Sequence, residues 1–137
     1  MLVLDTRRVL GLSARQAVRT EVRYDPAAPM DVSMEFAVEG GPRTVWRIGR
    51  DLLRQGLRTA SGLGDVRIRP SSSGDRATAW LQLTSGDMAA LFELPLPPLA
   101  RWLEHTYELV PAGQELAGFD WDAATADLLR GPGAHRD

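Results

Sequence analysis

The sequence predicts an α+β fold: curved antiparallel sheets of about seven strands with three helices, in an order that runs strands then helix twice. Three observations lead there. Apolar residues alternate at period two in two separate groups of segments, the pattern of half-buried strands. After each group the apolar spacing changes to that of a helix, around Leu53 and again around Leu103. The connectors within each group are short and rich in Gly, Pro and Asp, and short connectors imply antiparallel neighbours because parallel strands need long crossovers. Helices packed on antiparallel sheets define the α+β class.

From Val18 to Tyr24, Val18, Thr20, Val22 and Tyr24 share one parity while Arg19, Glu21 and Arg23 take the other, a first strand. Asp25, Pro26 and Pro29 then force a turn. Val32, Met34, Phe36 and Val38 alternate with Ser33, Glu35 and Ala37 in a second strand, Gly40, Gly41 and Pro42 close it, and Thr44 to Ile48 forms the other arm of a hairpin. Ile48, Leu52, Leu53 and Leu57 make an apolar helical stripe, with Asp51 in the first turn and Arg54 and Arg58 later, as the helix dipole favours. Gly56 keeps that helix short. Thr59 to Gly64 is read as a loop. Val66 and Ile68 oppose Arg67 and Arg69 in a strand that Pro70 ends, and Ser71 to Gly74 is a turn. Ala77 to Thr84 and Met88 to Leu94 form a hairpin across Ser85, Gly86 and Asp87. Pro98 suits the first position of a second helix, whose stripe is Leu99, Trp102, Leu103, Thr106 and Val110 and which Pro111 stops. Asp120 caps an expected third helix with Trp121, Leu128 and Leu129 on its apolar side.

The chain has 137 residues, a length expected of one domain, here residues 1–130, with 131–137 (GPGAHRD) a disordered tail. It carries 16 basic residues, all Arg, against 18 acidic ones, for a net charge of −2. Lys and Asn are absent while Ala, Gly, Pro and Arg are abundant, the imprint of a GC-rich genome. No Cys is present, which excludes a disulfide framework, a thiolate metal site and a Cys nucleophile together. The start, MLVLDTRRVL, has Asp5 inside its short apolar run and does not read as a secretory signal, and no run of 18 apolar residues suggests a membrane span. The expected location is the cytoplasm.

Catalytic chemistry finds little support. His135 falls in the tail and His105 on the polar side of its helix beside Glu104 and Glu108, where a solvated role is the plainer reading; two His without Cys make no zinc cluster. Asp120 and Asp122 in FDWDAATAD resemble the start of a calcium loop, but Ala124 and Thr125 stand where ligands and a glycine belong, so helix capping is preferred. Gly62, Gly64 and Asp65 precede a strand rather than a helix N-terminus, so they form a turn rather than a phosphate cradle. Ser71, Ser72 and Ser73 have no nearby base, and Glu104 and Glu108 are exposed carboxylates one helical turn apart. The expectation is a protein that is not an enzyme and takes no cofactor, metal or small-molecule substrate.

One polar pattern stands out. Arg47, Arg50, Arg54 and Arg58 are spaced three, four and four apart, so those in the helix lie along one face opposite the leucines. With Arg67 and Arg69 on the following strand they suggest a basic patch. The plainer reading is a solvated helix face; the functional one is a docking surface for an acidic partner segment, since Arg pairs bidentately with carboxylates. On that reading, replacing Arg50, Arg54 and Arg58 by Glu leaves the fold intact and abolishes binding. Nucleic acid is the weaker alternative, because the net charge is negative and Phe36, Trp46, Trp80, Phe92 and Trp102 fall at positions expected in the core.

Three segments together resemble a known family: EVRYDPAAPMDVSMEF, TVWRIGRDLLRQGLRTASGLGDVRIRPS and LFELPLPPLARWLEHTYELVPAGQE. The blocks WxxGRDLLxxGL at Trp46–Leu57 and GxGDVRIxP at Gly62–Pro70 are similar to those of the SsgA-like proteins of sporulating actinomycetes, and the likeness runs from about Val18 to Leu129. The resemblance implies a non-enzymatic division factor acting at the sporulation septum, in septum-site selection, septation and wall remodelling, with one branch recruiting the tubulin-like protein FtsZ. It also implies a homotrimer of subunits similar to Whirly-type single-strand binders, from which the alternative of single-stranded nucleic-acid binding arises. The expected partners are further copies of the chain, FtsZ or other division proteins. The N-terminal segment and GFDWDAATAD depart from the family pattern and match no particular branch.

Overall fold

The computed structural model describes residues 1–115. The first group of alternating segments forms strands β1 (Leu2–Val9), β2 (Arg15–Arg23), β3 (Asp31–Ala37) and β4 (Arg43–Gly49) and runs directly into helix α1 (Arg50–Gly56). The second forms β5 (Ser61–Leu63), β6 (Val66–Ser73), β7 (Arg76–Ser85) and β8 (Met88–Pro95), followed by helix α2 (Leu96–Leu109). Each group is an antiparallel meander of four strands. The two meanders join through β1 and β8 into one curved sheet in the order β4-β3-β2-β1-β8-β7-β6-β5.

The strands-then-helix plan therefore occurs twice, as the sequence suggested. Three expectations change. There are eight described strands rather than about seven, and two of them, β1 and β5, escape a reading by hydrophobicity: β1 alternates, but with Asp5 and Arg7 outward and Thr6 and Arg8 inward, and β5 has three residues. The strands form one continuous sheet, not several. Pro70 does not end β6, which continues to Ser73. Pro70 lies past the last pairing of β5, Ser61 with Ile68, where β6 has become a sheet edge and the missing N–H is tolerated. Two helices occur among the described residues; the expected third helix at Asp120, Trp121, Leu128 and Leu129, the acidic pair Asp120 and Asp122, His135 and the tail lie outside them.

The hairpins of the second meander share one turn chemistry. Gly64-Asp65, Gly74-Asp75 and Gly86-Asp87 each join paired strands as a two-residue loop, with the glycine at φ of 60 to 61°. A positive φ at the first loop residue and none at the Asp that follows is the type II′ arrangement, whose twist matches that of the strands it connects.

The sheet curls strongly. Phe36 of β3 and Phe92 of β8 are separated by two whole strands, yet their rings stack with centroids 4.4 Å apart. Inside the curl Leu4, Val22, Val32, Met34, Ile48, Leu81 and Leu94 are almost wholly buried, and Leu53 of α1 with Leu99 and Leu103 of α2 close the core. α2 begins at Leu96, two residues before Pro98; Pro97 and Pro98 occupy its first turn, where the backbone N–H has no helical acceptor to lose. The seam between the halves is narrow: β1 and β8 share two residue pairs, Arg7 with Glu93 and Arg8 with Phe92, whereas β1–β2 and β7–β8 share eight each. Arg15 Nε donates to Glu93 Oε1 at 3.0 Å across the same line.

Candidate functional site

The four spaced arginines do not share one exposed face. Arg50, the first residue of α1, is 1% exposed and is the largest fully buried side chain of the described residues. This corrects the placement opposite the leucines. Arg50 stands three residues before Leu53 and seven before Leu57, so in a helix of only two turns it shares their inward side. Charge reversal there would bury a carboxylate, so the variant expected to leave the fold intact would instead disrupt it.

The buried guanidinium is held from several elements. Its Nη1 donates to the Thr106 carbonyl at 2.9 Å and its Nη2 to Glu115 Oε2 at 2.8 Å. Its carbon lies 3.9 Å from the ring centre of Tyr107 and 5.1 Å from that of Tyr24, a flat cation between two aromatic faces. Arg54, half buried, covers Tyr107 at 4.3 Å and pairs with Glu104, Nε to Oε2, at 3.3 Å. The Tyr107 hydroxyl donates to Asp51 of α1, and the Tyr24 hydroxyl donates to the Pro29 carbonyl at 3.0 Å. The result is a clamp that fixes α1, α2, the end of β2 and Glu115 to one another.

The clamp shifts its own titrations. Burial, then the hydrogen bond to Asp51, holds the Tyr107 phenol well above the ordinary tyrosine range. Burial also raises Tyr24. The hydrogen bond from Arg50 lowers the Glu115 carboxyl. Tyr24, Tyr107 and Glu115 were not legible as site residues, because they reach Arg50 from up to 65 positions away and belong to no local pattern.

Arg47 and Arg58 are exposed. Arg47 lies on the outer side of β4, opposite Ser33, and Arg58 follows α1; neither forms an ion pair among the described residues. Both guanidinium groups, like that of Arg101 on α2, are left to pair with carboxylates from elsewhere. Arg67 and Arg69 belong to a different region, the outer face of β6, separated from β4 by five whole strands. Trp80 sits on that outer face too, half buried beneath Arg69, rather than in the core; Phe36 and Phe92 are core residues, and Trp46 and Trp102 pack against the core half buried.

The remaining candidates have structural roles. Gly64 and Asp65 are a hairpin turn, and Ser71–Ser73 run along β6. His105 is exposed, with Nδ1 2.7 Å from Glu108 Oε2. No group of three or more His, Asp or Glu among the described residues is placed to hold a metal, and no described helix is long and apolar enough to cross a membrane.

Residues 18–115 match the family model described as Streptomyces sporulation and cell division protein, SsgA. The chain is 41% identical over 116 residues to the sporulation-specific cell division protein SsgB of Salinispora tropica, covering 83% of this chain and 81% of that one. It is 34% identical over 126 residues to the SsgB of Streptomyces coelicolor, 92% of each chain. Among solved structures, the crystal structure of an SsgA-like sporulation-specific cell division protein from Thermobifida fusca superposes with a TM-score of 0.81 at 31% identity, covering 93% of both chains. A structure from work on SsgB mutations that correlate with longitudinal cell division during sporulation of Streptomyces coelicolor superposes with a TM-score of 0.82 at 34% identity, over 86% of this chain and 93% of that one.

Proposed function

Because the chain belongs to the SsgA family of sporulation and cell division proteins, we propose that it is a non-enzymatic scaffold of sporulation septation that recruits or organises FtsZ at the septum. The observation that carries this reading is the extent of the family match, which runs from Val18 within β2 through α2 and ends at Glu115, the residue that ties Arg50. The clamp that fixes the two helices is thus built wholly from matched residues. Scaffolding agrees with the site: its central charges are spent on internal pairing, and a rigid junction flanked by Arg47 and Arg58 offers guanidinium groups to an acidic segment.

The chain acts as a homotrimer in this reading. Three copies of one weak surface gripping neighbouring subunits of a filament raise avidity by about two to four orders of magnitude when geometry allows simultaneous engagement.

The test is co-sedimentation with polymerised FtsZ, comparing the natural chain with the double variant Arg47→Glu, Arg58→Glu, whose positions are exposed and leave the clamp untouched. The natural chain pellets with the filaments and the folded double variant stays in solution. A natural chain that stays in solution removes FtsZ as the partner; a double variant that still pellets removes this surface. A Whirly-type single-strand binder would instead shift labelled oligonucleotides, with affinity falling as salt rises.

A further inference from the structure

The outer face of the second meander carries a groove of about 520 Å³, distinct from the surface around Arg47 and Arg58. Register builds its floor from two rows. Gly62, Arg67, Gln82 and Leu91 face one another in sequence across β5 to β8, and Arg69, Trp80 and Glu93 form the next row. Gly62 contributes no side chain, so the row opens at the sheet edge.

The chemistry of the two rows is uneven. Arg67 and Arg69 are exposed, and neither has an ion pair among the described residues. Glu93, the nearest carboxylate in register, is buried and already engaged by Arg15 at 3.0 Å. The Arg69 guanidinium carbon lies over the Trp80 ring, 4.5 Å from its centre, within reach of a cation–π attraction. Trp80 Nε1 is inaccessible to water and has no hydrogen-bond acceptor among the described residues. Leu91 and the Trp80 indole supply apolar surface, and both are half buried.

We propose that this groove binds a short acidic peptide segment, with an apolar side chain seated on Trp80 and Leu91 and flanking carboxylates on Arg67 and Arg69. Trp and Arg are the residue types that dominate binding energy at protein interfaces, and here they are stacked on one another beside a cavity. A nucleic-acid strand fits less well. It needs a row of cations along its backbone, and the groove offers two on a chain of net charge −2.

The experiment is a ¹H–¹⁵N titration of the full chain with a synthetic peptide in which one Phe is flanked by two Asp on each side. The same peptide with Asn for Asp and a 20-nucleotide thymidine strand serve as comparisons. The Trp80 indole resonance, assigned by its loss in Trp80→Phe, is expected to shift saturably with the acidic peptide and at least tenfold more weakly with the Asn peptide. Arg67→Ala and Arg69→Ala, both at exposed positions, each weaken binding about tenfold while their spectra stay folded. The double variant Arg47→Glu, Arg58→Glu binds as the natural chain does, so the result is independent of the FtsZ reading. No saturable shift with the acidic peptide, equal shifts with the Asn peptide, unchanged affinity in both arginine variants, or tighter binding of the thymidine strand would each overturn the proposal.

Discussion

A Cβ on Gly56 would stand 1.9 Å from Cγ2 of Ile68 and 2.9 Å from its Cβ, so α1 rests on β6 with no room for a side chain at the contact. Gly56→Ala in an open helix would gain about 1 kcal/mol from propensity. Here overpacking reverses the sign, with an expected loss of about 1–3 kcal/mol. Urea unfolding should show a lower midpoint with an unchanged slope. Adding Ile68→Ala removes the clashing methyl, so the two changes should couple by about 1 kcal/mol or more in a double-mutant cycle.

Arg50 and Arg58 share a residue type and differ in burial. Arg50→Met removes two charged hydrogen bonds and the cation between two rings, and leaves Glu115 without its partner. Breaking such a buried pair costs about 3–5 kcal/mol. Arg58→Met, at an exposed site, should stay within about 0.5 kcal/mol. Arg50→Lys should fall between them, since it keeps the charge and loses the flat face. Equal stabilities of the Arg50 and Arg58 variants would contradict the clamp.

The chain's two tyrosines, Tyr24 and Tyr107, are both raised above the ordinary phenol value, each chiefly by burial. A raised folded value means the neutral phenol is favoured by folding. That contribution is complete below the unfolded pKa of about 10 and is lost as pH climbs through the folded values. Absorbance near 295 nm should therefore show no phenolate step at pH 10 in the folded chain, and a rise that coincides with loss of structure at higher pH. A phenolate step at pH 10 with structure intact would place a tyrosine in solvent.

Glu115 behaves in the opposite sense. Its folded value is lowered, first by the hydrogen bond from Arg50. Its contribution is thus complete above the ordinary carboxylate pKa and disappears as pH falls through the lowered folded value. The stability difference between the natural chain and Glu115→Gln should be present at pH 7 and shrink steadily below about pH 4. A difference that does not vary with pH would mean that the Arg50 contact adds nothing specific to the ionised form.

The twofold strands-then-helix plan and the hairpin turns were legible because they rest on local signals: parity, the change of period at Gly49 and the Gly-Asp pairs. The strand β1 was obscured by Asp5 and its arginines, since hydrophobic alternation fades when inward positions hold Thr6 and Arg8. The arginine spacing was correctly seen and wrongly placed. Spacing reveals which residues share a helix face; which face is buried depends on where α2 and Tyr24 dock, and that is long-range information. Trp80 was expected in the core from its strand position, but its register with Arg69 and Glu93 turns it to the outside.

The two-pair seam between β1 and β8 gives the molecule an unequal grain. Within the sheet, each half is cross-linked internally by long ladders, while the strands of the two halves meet through two ladder pairs, the stacked rings of Phe36 and Phe92 and one ion pair, leaving the Arg50 clamp and the contact of α1 with β6 to tie the halves at the helices. Breathing of the native chain should begin along that line. Backbone amides at Arg7, Arg8 and Glu93 then trade deuterium sooner than those in the middle of the β6–β7 ladder, the sheet parting at its spine while the helices stay clasped.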